Sequence, residues 1–195
     1  MSVFRAFIAL DLSAEVQERL EQVTDELRQS LDGMPIRWVP SENIHLTLKF
    51  LGDVSVSNVE VLTKIIAGVA AAHQPFAISV GGMGVFPDKR RPRVIWIGVE
   101  GPAELQSVQR NIEVETARIG YQSESRAFKP HLTIGRVSRN AGPRQVRSIT
   151  NVLEDTKIGF LGVVRIREVH LFRSDLQPSG AVYTRVFSAP LISKE

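Results

Sequence analysis

Ile44-His45-Leu46-Thr47-Leu48-Lys49-Phe50 alternates apolar and polar residues, and a period of two marks a strand with two unlike faces. Regular alternation projects His45, Thr47 and Lys49 together and turns Ile44, Leu46, Leu48 and Phe50 the other way. The pattern returns as His131-Leu132-Thr133-Ile134, 86 residues on (45 to 131), so two of the four His are each followed by Leu-Thr and an apolar residue. Either motif alone is what strand propensity already supplies. The pair points to a duplicated chemical unit.

Outward from these strands the chain alternates elements of both kinds. Phe4 to Leu10 reads as a strand, and Val16, Leu20, Val23, Leu27 and Leu31 give a helix starting near Ser13 and ended by Gly33 and Pro35. Trp38 to Asn43 is a turn-rich approach to the first motif. Ser57 with Glu60 reads as a capping box opening a helix that runs to about His73. Strands are expected at Phe76 to Val80 and Val94 to Val99, with the basic turn Lys89-Arg90-Arg91-Pro92-Arg93 before the second. A helix from Pro102 to Gly120 precedes the second motif. After it come a short helix near Pro143 and strands near Ile158 to Val164, Arg167 to Arg173 and Val182 to Phe187.

Four helices and about eight strands in this order predict an α+β fold. Its two antiparallel sheets with outer helices form two intertwined, pseudo-twofold lobes, with the site in a cleft between them. No linker separates the halves, so residues 1–195 are read as one domain.

Composition narrows the chemistry. At 195 residues, 43% hydrophobic and 23% charged, the chain is ordinary globular material, and its apolar N-terminal run is too short to span a bilayer. The absence of Cys removes disulfides, thiolate nucleophiles and thiolate metal sites, and fits the reducing cytoplasm. Of the 24 basic residues 18 are Arg, whose forked guanidinium matches phosphate oxygens.

Two His on opposite walls of a cleft suit displacement at phosphorus, where the attacking oxygen loses a proton and the leaving oxygen gains one. An ordinary pKa near 6.5 lets His serve either role at neutral pH. Each Thr follows its His by two residues, about 6.6 to 6.8 Å along a strand, and offers a hydroxyl to a non-bridging phosphate oxygen. Lys49 shares that face by parity. Arg136, five residues beyond His131, does not, and reaches the phosphate only if the strand bends. No carboxylate or His recurs near either motif at ligand spacing, so neither a metal nor a cofactor is expected.

These residues resemble the RNA 2',3'-cyclic phosphodiesterases, also called RNA 2'-5' ligases, of the two-histidine phosphoesterase superfamily. The resemblance runs through Phe4-Arg5-Ala6-Phe7-Ile8-Ala9, Arg37-Trp38-Val39-Pro40, His45 to Gly52, Arg91 to Trp96, Pro130 to Arg136 and Leu171-Phe172-Arg173-Ser174. It implies hydrolysis of a terminal 2',3'-cyclic phosphate to a 2'-phosphate, with His45 as proton donor to the leaving 3'-oxygen and His131 as proton acceptor from water. Thr47, Thr133 and Arg136 are the phosphate-binding candidates, no metal is expected, and the same groups exchanging roles would join RNA through a 2'-5' linkage. The expected partner is RNA with a cyclic phosphate end, tRNA fragments being one source, and the protein is expected to be a monomer away from membranes.

Competing readings are a cyclic phosphodiesterase for small nucleotides or 2'-5' oligoadenylates, and an RNA-end-binding module with little turnover. Phe50, Phe86, Phe128 and Trp38 are the aromatic residues available to stack on a base. His73 is read as a helix-end residue and His170 as a lining residue of the cleft wall.

Overall fold

The computed structural model of the chain describes residues 2–177 and 180–192. Its strands are β1 (Val3–Leu10), β2 (Ile36–Trp38), β3 (Leu46–Ser55), β4 (Phe76–Phe86), β5 (Val94–Glu100), β6 (His131–Val137), β7 (Phe160–Ile166), β8 (Glu168–Gln177) and β9 (Gly180–Pro190). The helices are α1 (Ala14–Ser30), α2 (Val59–Ala71), α3 (Ala103–Arg118) and α4 (Pro143–Asp155).

Two antiparallel sheets result, with strand orders β3-β1-β8-β9 and β2-β6-β5-β4-β7. Setting β2 aside, the orders superpose: a motif strand at one end (β3 or β6), then the strand that opens its half (β1 or β5), then two further strands, of which β4 in one sheet and β8 and β9 in the other come from the opposite half. β4 follows α2 yet pairs with β5, while β8 and β9 extend the sheet begun by β1. The pseudo-twofold relation expected from element order is therefore present, and each sheet is built from both halves of the chain.

Helices cover one face of each sheet. α2 packs on β8 and β9 and α3 on β3, whereas α1 packs on β7 of the other sheet. The helix stripes Val16, Leu20 and Leu27, Leu62, Ile66 and Val69, and Leu105, Val108 and Ile112 are buried at helical spacing. They meet alternate strand residues such as Ile8, Leu10, Leu46, Ile95 and Ile97, each wholly buried and worth about 1.5–3 kcal/mol of transfer free energy. The opposite faces hold the motifs. β3 and β6 approach with Cα atoms within 8 Å, so the two open faces border one cleft between the sheets. No helix among the described residues is long and apolar enough to cross a membrane.

Several local expectations are corrected. The approach to the first motif contains a three-residue strand, β2, paired with β6, before a 3-10 turn at Ser41–Asn43 carries the chain to the other sheet. α2 starts at Val59 without the Ser57 capping box. Ser57 instead donates its backbone N–H to Ser55 Oγ at 3.4 Å, and Glu60 pairs with Lys64 one turn on. β4 continues to Phe86 rather than ending at Val80, because Gly82, at φ 69°, absorbs a bulge that keeps the strand paired with β5.

Candidate active site

The register of β3 decides which side chains share the cleft. Ala9 pairs with Thr47 but Ile8 with Lys49, leaving Leu48 as the extra residue of a bulge. Beyond it the faces exchange. Lys49 turns into the core, where it is 4% exposed, and Phe50, paired with Phe7, turns to the cleft side and is 67% exposed. The parity reading of Lys49 and Phe50 is thus reversed. Lys49 Nζ donates to Glu113 Oε2 at 2.5 Å and to the Gln122 carbonyl at 2.8 Å, and Gln109 Nε2 reaches the carbonyl of the bulged Leu48 at 3.5 Å.

β6 repeats the device. Trp96 pairs with Thr133 and Ile95 with Gly135, so Ile134 is the extra residue, and its carbonyl accepts from Val39 N at 2.9 Å. The exchange of faces brings Arg136, paired with Val94, onto the side that holds Thr133 and His131. The bend that Arg136 needed is supplied at the same offset from the motif as in β3.

Each His sits in an aromatic surround. The His45 ring stacks on Phe7 at 4.5 Å between centroids, meets Tyr183 edge-on at 5.3 Å and lies 6.1 Å from Phe172. Phe86 meets His131 edge-on at 4.9 Å, with Trp96 at 6.3 Å. Trp96 lies over Gly84, where an added Cβ would stand 2.2 Å from the indole. The Trp96 indole N–H is buried with no partner among the described residues.

The electrostatics of the two His differ. Burial brings His45 down from 6.5 to about 4, opposed by a backbone hydrogen bond with Asn43 and by the Asp11 carboxylate. Burial also lowers His131, opposed by a hydrogen bond with the Lys129 carbonyl and reinforced by the positive charge of Arg136. His131 Nδ1 lies 2.6 Å from that carbonyl and must donate to it, which leaves Nε2 as the ring's proton acceptor. Around both rings the low dielectric favours the neutral form, but a carboxylate, Asp11, opposes this at His45 whereas a guanidinium, Arg136, reinforces it at His131.

Sequence reasoning undervalued Asp11. It pairs with Arg185, lies 3.7 Å from His170 Nε2 and acts on His45. Its position one residue past the end of β1 was the available signal. His170, paired with Ala9, is on the cleft side of its sheet as read, yet it is 4% exposed and holds Ser188 Oγ at 2.8 Å through Nδ1. His73 is within 3.0 Å of Asn111 Nδ2. Of the aromatic residues, Phe50 and Phe86 border the cleft, and Trp38 and Phe128 pack against the core.

Comparison with known proteins agrees with this duplicated architecture. The LigT-like phosphoesterase family model matches residues 10–96 and again 97–183, one motif in each. A Methanothermobacter thermautotrophicus protein named RNA 2',3'-cyclic phosphodiesterase is 37% identical over 180 residues, 92% of this chain and 95% of that one. An Archaeoglobus fulgidus protein of the same name is 32% identical over 185 residues, 94% and 99% of the two chains. Among solved structures, a Thermus thermophilus protein shares the fold at a TM-score of 0.80 and 24% identity, covering 96% of this chain and 97% of its own. Escherichia coli LigT complexed with 3'-AMP gives 0.76 at 25% identity, covering 98% and 100%. With each half matched by the same model and relatives alike along nearly their whole length, the chain belongs to the LigT-like phosphoesterase family.

Proposed function

We propose that this protein hydrolyses the 2',3'-cyclic phosphate at an RNA end to a 2'-phosphate. His131 accepts a proton from the attacking water through Nε2, the water oxygen bonds to phosphorus, and the bond to the 3'-oxygen breaks as His45 protonates that oxygen. Thr47 and Thr133 donate to the non-bridging oxygens, and Arg136 offsets their charge. The names of the relatives support the substrate. The observation that carries the base assignment is the hydrogen bond of His131 Nδ1 to the Lys129 carbonyl, which leaves Nε2 to accept a proton, and the role of His45 as acid follows from the likeness to the family. His45 is neutral in the free protein at pH 7, and the anionic substrate phosphate draws a proton onto it on binding. The same groups run in reverse join a cyclic end to a 5'-hydroxyl.

The test is an RNA oligonucleotide with a 2',3'-cyclic phosphate incubated with protein in excess EDTA. Undiminished 2'-phosphate formation is expected, with His45→Ala and His131→Ala each slower by roughly 10²- to 10⁴-fold. Activity lost to the chelator, or kept by both variants, overturns the mechanism. Tight binding without product would instead favour an RNA-end-binding module.

A further inference from the structure

On the open face of the β2-β6-β5-β4-β7 sheet, Arg37 of β2 and Arg136 of β6 are directly opposed partners, with Val94 of β5 completing the row. Like charges facing each other across antiparallel strands repel. Some exposed arginines are paired locally, Arg19 with Glu15, Arg28 with Asp25 and Arg126 with Glu124, but what sets Arg37 and Arg136 apart is that they face each other in one strand register. Among the described residues no carboxylate pairs with Arg37 or Arg136, and both are exposed.

Two packing features hold this arrangement. Ile36 and Trp38 pack against the core on either side of Arg37, and Trp38 lies against Gly135, where an added Cβ would be 3.1 Å from the ring. The alternation of β2 therefore commits Arg37 to the cleft side, and the bulge at Ile134 commits Arg136 to the same side. Their row lies one strand repeat, about 6.6 to 6.8 Å, beyond the row of Thr133 and Trp96.

We propose that Arg37 and Arg136 form a second phosphate subsite, which takes the phosphodiester on the 5' side of the terminal nucleotide. An anion between the two guanidiniums turns their repulsion into forked, charge-assisted hydrogen bonds. A cyclic phosphate ends its chain, so every further phosphate of the substrate lies on the 5' side. Arg136 then stands between the reacting phosphate and the next one, and Arg37 serves the second alone. The subsite makes the protein a reader of oligonucleotides over mononucleotides. This inference rests on the proposed action at RNA ends.

The experiment compares hydrolysis of a 2',3'-cyclic mononucleotide with that of a trinucleotide carrying the same end. Arg37→Ala is expected to raise KM for the trinucleotide, so that the trinucleotide-to-mononucleotide ratio of kcat/KM falls about tenfold. Arg37→Lys keeps the charge without the fork and recovers part of the loss. An unchanged ratio, or equal losses on both substrates, overturns the subsite. Should the unsubstituted protein hydrolyse neither substrate, the proposed activity fails but the subsite is still tested by binding a trinucleotide with a 3'-phosphate across a salt series. Arg37→Ala should then weaken binding and reduce the slope of log K against log salt by about 0.7. An unchanged slope overturns it.

Discussion

Lys49 Nζ on β3 lies 2.5 Å from Glu113 Oε2 on α3, with the lysine side chain 2% exposed and the glutamate 15%. The pair pins the motif strand to its helix just past the bulge. Removing one partner strands a charge in the core, so Lys49→Ala should lower unfolding free energy by about 3–5 kcal/mol in urea denaturation. Replacing both, as Lys49→Met with Glu113→Leu, should cost much less. A single variant within about 1 kcal/mol of the parent would show that the pair does not anchor the strand.

Stability should fall with acidification well before the carboxylates titrate. His45 titrates at about 4 in the folded protein against 6.5 in the unfolded chain, so between those values the unfolded state binds the extra proton. Stability contributed by neutral His45 is present above pH 6.5 and lost as pH falls towards 4, by about 3 kcal/mol in full. The lowered His131 and His170 act in the same direction. Denaturation midpoints between pH 4 and 7 should decline less steeply in His45→Gln, and an identical decline would contradict the burial of a neutral ring.

The pH dependence of activity separates free protein from complex. With His45 as acid at about 4 and His131 as base below 6.5, kcat/KM, which reports the free protein, should be bell-shaped with its maximum between pH 4 and 6.5. The kcat profile should lie at higher pH, because bound phosphate favours protonated His45. Asp11→Asn removes a charge that raises His45 and should move the acid limb of kcat/KM down. A maximum above pH 7 would contradict the lowering of both rings by burial.

Gly84 is a packing constraint on the His131 side of the site. Its missing Cβ is the space occupied by Trp96, three of whose ring atoms would lie 2.2 to 2.8 Å from an added methyl. Gly84→Ala forces the indole away from its place beside His131 and should cost about 1–3 kcal/mol of stability together with activity. Turnover and melting temperature measured on the same preparation test this, and unchanged values in both would show that Trp96 moves freely.

Much of this arrangement could be read from residue order. The repeated His-x-Thr pattern located the two motif strands and the duplication, because alternation on a half-buried strand leaves a direct trace in composition. The bulges left none. Leu48 and Ile134 are apolar residues added beside an apolar face, so the pattern still looks regular while Lys49, Phe50 and Arg136 change sides. Gly135 at the place in its motif where Lys49 stands was the sole hint that this position need not face a ligand. β2 escaped notice because three residues carry too little periodicity. The exchange of β4 with β8 and β9 depends on pairings between distant segments, which local pattern cannot express.

That exchange bears on how the protein is made. The ring of His45 is enclosed by Phe172 of β8 and Tyr183 of β9, both in the second half of the chain. During synthesis from the N-terminus, the motif strand β3 leaves the ribosome with its partner β1 but without these rings, and the other edge of β1 waits for β8. The order of emergence thus completes the surround of His131 before that of His45. Nascent chains arrested before β8 should carry the enclosed His131, while His45 still lacks its aromatic surround.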